Sequence, residues 1–313
     1  MKNHAFIMPV YKSPKLLARI LHILEADNHY FFIHVDKRTK NYDEFVSECQ
    51  HIKNVIFVPR INVYHGTISQ VYASIEMLKA CVNHPVHFHF VHQISGQDYP
   101  LRSNKIFDDF FENTEDSFMC YNFENELDEL QPLTEKSVMG YYANKFPVNK
   151  VGQIYRIIYN KIGNSKLVKT LFPREPIKNL IGGWDWFTWS DKVVNYVMTY
   201  IEENRFDKSS LLVRLSHTNA PSEKFYTTLL FDKLERLKVR KYYPLRFVSW
   251  TPHHPINVKR LPYPLNELDY EYVVNSPTFF CRKIEEVESA KLLDMIDAQR
   301  DSAFNIEQFT EFT

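Results

Sequence analysis

Residues 94–103, Ile-Ser-Gly-Gln-Asp-Tyr-Pro-Leu-Arg-Ser, set one carboxylate, Asp98, among polar side chains and a proline. They follow an apolar run over 86–93, in which Val86, Phe88, Phe90 and His92 alternate with His87, His89, Val91 and Gln93. That run reads as a buried strand, and Gly96, Asp98 and Pro100 break it and turn the chain. Ligands of open α/β sheets bind at loops leaving the carboxyl ends of strands, so Asp98 stands where it could orient ligand hydroxyls. The same composition also suits an ordinary polar loop. Asp36-Lys37-Arg38 forms a second charged cluster, equally compatible with a solvated turn. His87 and His89 have a metal-like spacing, but with no third ligand evident they read as a partly buried pair.

Such loops need a frame. The first 120 residues alternate strand and helix, with strands expected over 5–10, 30–35, 55–58 and 86–93. Ser13-Pro14 should cap a helix whose Leu16, Leu17, Ile20, Leu21 and Leu24 form one stripe. A second helix is expected over 42–51, and a third carries Ile68, Val71, Tyr72, Ile75 and Leu78 at helical spacing. This βαβαβαβ order implies an α/β fold with a mostly parallel central sheet flanked by helices. Loops 9–12, 36–38, 64–69 and 95–102 then gather on one edge. Their carboxylates, hydroxyls, aromatics and cations suit a nucleotide or a sugar.

Composition excludes several alternatives. The 313 residues are 44% hydrophobic and 15% aromatic, enough for a large core. Lys plus Arg number 38 and Asp plus Glu 38, so no net field draws nucleic acid, and no nucleic-acid partner is expected. There are seven glycines and neither G-x-G-x-x-G nor G-x-x-x-x-G-K-[ST], which argues against dinucleotide and P-loop binding. Cys49, Cys81, Cys120 and Cys281 form no C-x-x-C pair and read as reduced core residues. With no signal-like h-region and no run long enough to span a membrane, a cytoplasmic location is expected.

Residues 6–12, 30–38, 63–71, 94–101, 182–190, 220–229 and 276–284, in that order, resemble the core-2/I-branching β-1,6-N-acetylglucosaminyltransferase family, as a bacterial-type member. That family also includes the peptide O-xylosyltransferases. The resemblance implies a GT-A-like nucleotide-sugar-binding fold in one domain over 1–313. Within it, 1–120 would be the UDP-sugar-binding half, 121–180 a variable basic insert and 181–313 the acceptor and catalytic half. The implied reaction is inverting transfer of N-acetylglucosamine from UDP-GlcNAc to a glycan hydroxyl, in surface polysaccharide or lipid-linked glycan synthesis. Two alternatives stay open: a xylosyltransferase using UDP-xylose, and a catalytically silent UDP-sugar or glycan-binding protein. Most enzymes of this fold hold a divalent metal through Asp-x-Asp, and no Asp-x-Asp occurs here. Asp108-Asp109 and Asp294/Asp297 are unconvincing substitutes. The family is similar in using basic side chains instead, so no metal or other cofactor is expected.

By resemblance, Glu223 in Pro221-Ser222-Glu223-Lys224 matches the catalytic base, which takes the acceptor proton. A Glu in a first helical turn is also a good dipole partner. Lys283 matches a diphosphate-binding cation. Arg260, with Lys259 beside it, matches a second. Pro9, Val10 and Tyr11 would line the uracil and ribose pocket, with Asp36, Lys37 and Arg38 adjacent. His65 stands where relatives carry an aromatic residue, and Asp98 would orient ribose or sugar hydroxyls. Trp184, Asp185 and Trp186 fit the acceptor side, although tryptophans also serve as core.

Residues 145–178 carry Lys145, Lys150, Arg156, Lys161, Lys166, Lys169, Arg174 and Lys178 against Glu175 alone. Val151, Ile154, Tyr155, Ile158 and Ile162 fall at helical spacing, giving a basic amphipathic segment. It suits either an anionic membrane surface, by peripheral contact, or docking on the core with a solvated basic face.

Overall fold

β1 (His4–Val10) splits the interior in two. Phe6, Met8 and Val10 enter one apolar cluster, while Ala5 and Ile7 enter another on the opposite face. Successive strand residues point to opposite faces, so a strand apolar at nearly every position must be covered on both. The computed structural model of the chain describes residues 1–121, 150–163, 165–171, 177, 180–216, 218, 220–241, 245–250, 253 and 262–300.

After β1 the order is α1 (Pro14–Leu24), β2 (His29–Val35), α2 (Tyr42–Cys49), β3 (Val55–Phe57), α3 (Ser69–Val82) and β4 (Phe90–Gln93). Next come β5 (Tyr99–Pro100), α4 (Asn104–Glu112), β6 (Ser117–Tyr121), α5 (Lys150–Gly163), α6 (Lys166–Leu171) and β7 (Gly183–Ser190). α7 (Asp191–Glu203), α8 (Leu211–Leu215), α9 (Ser222–Leu230), β8 (Val239–Lys241) and β9 (Arg246–Val248) follow. The described chain finishes with α10 (Tyr270–Val274), β10 (Phe280–Arg282) and α11 (Ala290–Gln299).

The main sheet runs β3-β2-β1-β4-β7-β6-β8. β3, β2, β1 and β4 are parallel, β7 is antiparallel to both β4 and β6, and β8 is parallel to β6. A small sheet, β5-β10-β9, adjoins it. α1, α2, α4 and α11 cover one face of the main sheet, and α3, α7 and α9 cover the other. This is the α/β, mostly parallel arrangement expected from the strand and helix alternation.

Local details differ from expectation. The strand expected over 86–93 begins only at Phe90. Asn3 N–H donates to His89 Nδ1 (3.1 Å), so an imidazole takes a proton that a ladder carbonyl would otherwise accept. His87 is exposed and faces Asp191 at 3.3 Å. Ser13 does not cap α1 through its side chain. Its backbone sits at φ 57°, and its carbonyl accepts from Leu17 N–H at 3.0 Å. Tyr72 is turned outward from α3, which instead buries Val71, Ser74, Ile75 and Leu78. All four cysteines are buried and unpaired.

Gly183 has a definite reason to be glycine. A Cβ there would lie 2.2 Å from the Cys120 carbonyl oxygen and 2.6 Å from Thr227 Cγ2. The close approach lets β7 pass between β6 and α9, where Thr227 Oγ1 donates to the Ile181 carbonyl (2.7 Å). Among the described residues no helix is long and apolar enough to cross a membrane.

Candidate active site

A cleft of about 360 Å³ opens at the carboxyl edge of the parallel strands. Pro9, Val10 and Tyr11 line it from the end of β1, His34 and Asp36 from β2, and Gln93 from β4. Arg38, His65, Gln70 and Ser74 form one side. Asp185 on β7, with Ser222 and Tyr226 on the first turns of α9, forms the opposite wall. Tyr226 is fixed there by a 2.5 Å hydrogen bond between its hydroxyl and Ser74.

The β2 loop is rigid because its polar groups are saturated. Asp36 is 6% exposed and accepts from the Arg38 guanidinium (2.7 Å), Arg38 N–H (3.0 Å) and Val63 N–H (3.2 Å). Burial works to raise its pKa, but these donors outweigh burial and hold the carboxyl below the usual range. Arg60 donates to the carbonyls of Val35 (3.1 Å), Asp36 (3.0 Å) and Thr39 (3.0 Å). The Arg38 guanidinium lies 4.5 Å from the centre of the Tyr64 ring. Lys37, on the same turn, is exposed and does not line the cleft.

Asp98 is fully buried rather than cleft-lining. Its Oδ2 accepts from Ser95 N–H (2.7 Å) and Ser95 Oγ (2.6 Å), and lies 3.3 Å from Arg282 Nη1. Its Oδ1 lies 3.2 Å from Arg246 Nε. Burial lowers the Arg246 pKa to about 10, opposed by Asp98, so this guanidinium stays charged at neutral pH. Arg246 and Arg282 both lie over Trp186, at 4.9 and 4.4 Å from a ring centre. Trp186 and Trp184 (5.6 Å apart) alternate with Asp185 along β7, so they project to the opposite face from the cleft.

Asp185 is the most perturbed carboxyl at the cleft. Its Oδ1 is buried with no hydrogen-bond partner among the described residues. Burial and then the charge of Glu223 push its pKa up to about 7, against a Ser222 hydrogen bond, Arg282 and Lys224. Glu223 itself is exposed in the first turn of α9, one residue from cleft-lining Ser222. Lys224 is 7% exposed, donates to the Ala220 carbonyl (3.3 Å), and has its pKa lowered by burial.

Lys283 follows β10, with its ammonium 3.7 Å from Glu285 Oε1. Lys12, just beyond β1, reaches the same carboxylate at 2.5 Å, and Gln97 donates to it at 2.8 Å. Glu285 therefore gathers three segments and two cations at one corner of the sheet edge. Arg260 and Lys259 lie outside the described residues. Sequence reasoning passed over Gln93, Ser222, Tyr226, Lys12 and Arg282. Each lies within three residues of a motif already singled out, so proximity to the motifs was the available signal.

A family model described as Core-2/I-Branching enzyme matches residues 4–270. The chain is 26% identical to xylosyltransferase 2 of Rattus norvegicus over 313 residues, spanning 94% of this chain and 33% of that protein. It is 27% identical over 105 residues to a Danio rerio beta-1,3-galactosyl-O-glycosyl-glycoprotein beta-1,6-N-acetylglucosaminyltransferase 4, spanning 32% of this chain and 24% of that one. The chain thus spans about a third, or less, of the length of these relatives. The S. aureus TarS 1–349 structure in complex with UDP aligns with a TM-score of 0.31 and 13% identity, over 67% of this chain and 54% of that one.

The raised Asp185 pKa has a consequence for stability. In the unfolded chain Asp185 titrates near 3.8, and in the folded protein near 7. The folded state holds this proton more tightly, so the contribution is fully present below pH 3.8 and is lost as pH rises towards 7. Asp185→Asn removes this dependence. Denaturant unfolding at several pH values should show the wild type losing stability relative to Asp185→Asn between pH 4 and 7. Parallel curves would mean that Asp185 ionises normally in the folded protein.

Proposed function

Because the chain belongs to the core-2/I-branching enzyme family, we propose that it is an inverting glycosyltransferase that moves a sugar from a UDP-sugar to an acceptor hydroxyl. The observation carrying this reading is the carboxylate pair at the cleft wall. Glu223 stands exposed one residue from cleft-lining Ser222, and Asp185 lines the cleft, held towards its protonated form near neutral pH. A carboxyl group held towards protonation by burial and by a neighbouring carboxylate suits hydrogen-bond donation beside a second carboxylate that acts as base. Glu223 would take the acceptor proton as the hydroxyl attacks the anomeric carbon opposite the departing UDP. Asp185 would donate a hydrogen bond to a substrate hydroxyl. The rigid Asp36–Arg38 turn and the 9–11 segment would hold the nucleoside. Lys283 and Lys12 would meet the diphosphate charge, and the absence of Asp-x-Asp supports a reaction without a divalent metal.

The donor proposed is UDP-GlcNAc and the acceptor a glycan or lipid-linked saccharide. UDP-xylose is the second reading, favoured by the 94% of this chain that aligns with a xylosyltransferase against 32% with the N-acetylglucosaminyltransferase. UDP release from each donor separates the two, and no release with any acceptor would leave only a binding protein. Peripheral contact with an anionic membrane through α5 is also proposed. Val151, Ile154, Ile157, Ile158 and Ile162 are all exposed there, beside exposed Lys161. Cosedimentation with anionic but not neutral vesicles is the expected result, and equal binding to both would remove the electrostatic part.

Glu223→Gln keeps shape and hydrogen bonding but cannot accept the proton. Turnover should fall by about 10²–10⁴-fold while UDP affinity stays near wild type. In the same assay manganese or magnesium should leave wild-type turnover unchanged, and a strong activation would overturn the metal-free reading. A Glu223→Gln variant retaining most activity would reassign Glu223 to the helix end.

Lys283→Ala should weaken binding of UDP as well as turnover, since the ammonium would meet the diphosphate in ground and transition states alike. A lost charge-assisted hydrogen bond is worth roughly 1.5–3 kcal/mol, or about 10- to 150-fold. Uridine, without phosphates, should bind variant and parent equally. An equal loss for uridine would show that Lys283 supports the fold.

A further inference from the structure

Where β1 and β2 begin, at the edge of the sheet opposite the cleft, three imidazoles and a carboxylate meet in the interior. His4 and His29 are register partners across β1 and β2. His92 comes from β4 and Asp108 from α4. None of the three histidines is more than 1% exposed.

The protons on these groups can be traced. His29 Nδ1 lies 2.7 Å from the carbonyl oxygen of Leu24, which can only accept, so Nδ1 carries the ring proton. In the neutral ring, Nε2 then turns a lone pair on Asp108 Oδ1, 2.8 Å away. His4 Nδ1 lies 3.0 Å from His92 Nε2, and His92 Nδ1 lies 3.1 Å from Thr188 Oγ1. With protons directed from His4 to His92 to Thr188, His4 Nε2 also turns a lone pair on Asp108 Oδ1, at 3.6 Å. His4 Nε2, His29 Nε2 and Asp108 Oδ1 all fall within 4.8 Å of one another. Asn28 Nδ2 also donates to Asp108 Oδ1, at 3.3 Å. Two imidazole lone pairs and a carboxylate charge still converge in a buried place, which is costly unless positive charge sits among them. A bridging proton serves His29 and Asp108 only, since 3.6 Å from His4 is beyond a hydrogen bond. A metal ion serves all three.

We propose that His4, His29 and Asp108 form a structural site for a divalent transition-metal ion of the zinc class, tying α4 to the start of β1 and β2. Two neutral imidazoles and one carboxylate are a fitting ligand set for such an ion. The Nδ1 partners, Leu24 carbonyl and His92, are the outer hydrogen bonds that fix ring orientation in metal-binding histidines. Phe107 and Phe111 pack edge-on against the His4 ring, which keeps the rings from turning away. Asp108 is 16% exposed, which leaves a way in for the ion and for a water as fourth ligand. The seven residues of β1, at about 3.3 Å each, separate this site from the cleft. It therefore acts on stability and stands apart from the chemistry proposed for the cleft.

The test uses chelator-stripped full chain, titrated with Zn²⁺ and with Co²⁺. The expected result is one tightly bound equivalent, a rise in Tm and a visible cobalt band of a low-coordinate N/O site. Asp108→Asn keeps the shape and removes the charge, and should abolish the band and the Tm response while the exposed histidines remain. Should that variant fail to fold, His4→Gln serves the same comparison, and the wild-type stoichiometry still decides. No bound equivalent and no Tm change in the wild type would overturn the proposal in favour of a proton-bridged His29–Asp108 pair. Undiminished binding by both variants would overturn it in favour of surface histidines.

Discussion

The buried carboxylate of Asp98 holds together the parts on which the cleft depends. It belongs to the loop leaving β4, and the guanidinium groups it faces come from β9 and β10, far along the chain. Arg246 also donates to the Gln93 carbonyl (3.1 Å), and both guanidiniums rest on Trp186 of β7. One carboxylate thereby fixes the small sheet against the edge of the large one, beside Asp185. Desolvating three charges is costly. The arrangement persists because each charge is met by an opposite charge, a hydroxyl or an aromatic face. Removing one partner of such a set typically costs about 3–5 kcal/mol, because the others stay buried and uncompensated.

The carboxyl groups near this edge show how environment assigns role. Asp36 is ringed by donors and held ionised, which makes it part of a rigid turn. Asp98 faces two guanidiniums and serves architecture. Asp185 has a buried oxygen with no hydrogen-bond partner among the described residues, and a neighbouring carboxylate, so it leans towards protonation near neutrality. Glu223 is exposed in the first turn of α9, where its backbone N–H donates to the Ala220 carbonyl (3.2 Å). Asp98, Asp185 and Glu223 each have a Gly or Pro two residues away in the sequence, and Asp36 follows a strand end. The differences between them lie in what packs around each one.

Glu285 works on the cationic side as Asp98 does on the anionic side. It draws Lys12 from the β1 loop, Lys283 from beyond β10 and Gln97 from the β4 loop to one place. A diphosphate arriving there would compete with Glu285 for ammonium groups that are already gathered and oriented. The entropy of collecting two flexible lysines would be paid on folding and not on binding.

Local spacing was readable from the sequence. Short apolar runs marked β1, β2 and β3, helical stripes marked α1 and α3, and strand-end turns marked the loops that supply Pro9, Val10, Tyr11, Asp36, Arg38 and His65 to the cleft. These patterns follow from backbone periodicity, which acts between residues a few positions apart. Distant register was not readable. The sequence presents Lys37 and Arg38 as equivalent cations, and only packing turns Arg38 onto Asp36 and leaves Lys37 in solvent. It shows His87 and His89 at ligand spacing, whereas the converging ligand atoms belong to His4, His29 and Asp108. Asp98 looked like a ligand-facing residue until Arg246 and Arg282 closed over it. Periodicity determined the elements and the edge of the sheet that carries the loops. Which charges are buried together was decided only by the tertiary fold, because desolvation and pairing depend on partners that the chain supplies from far away.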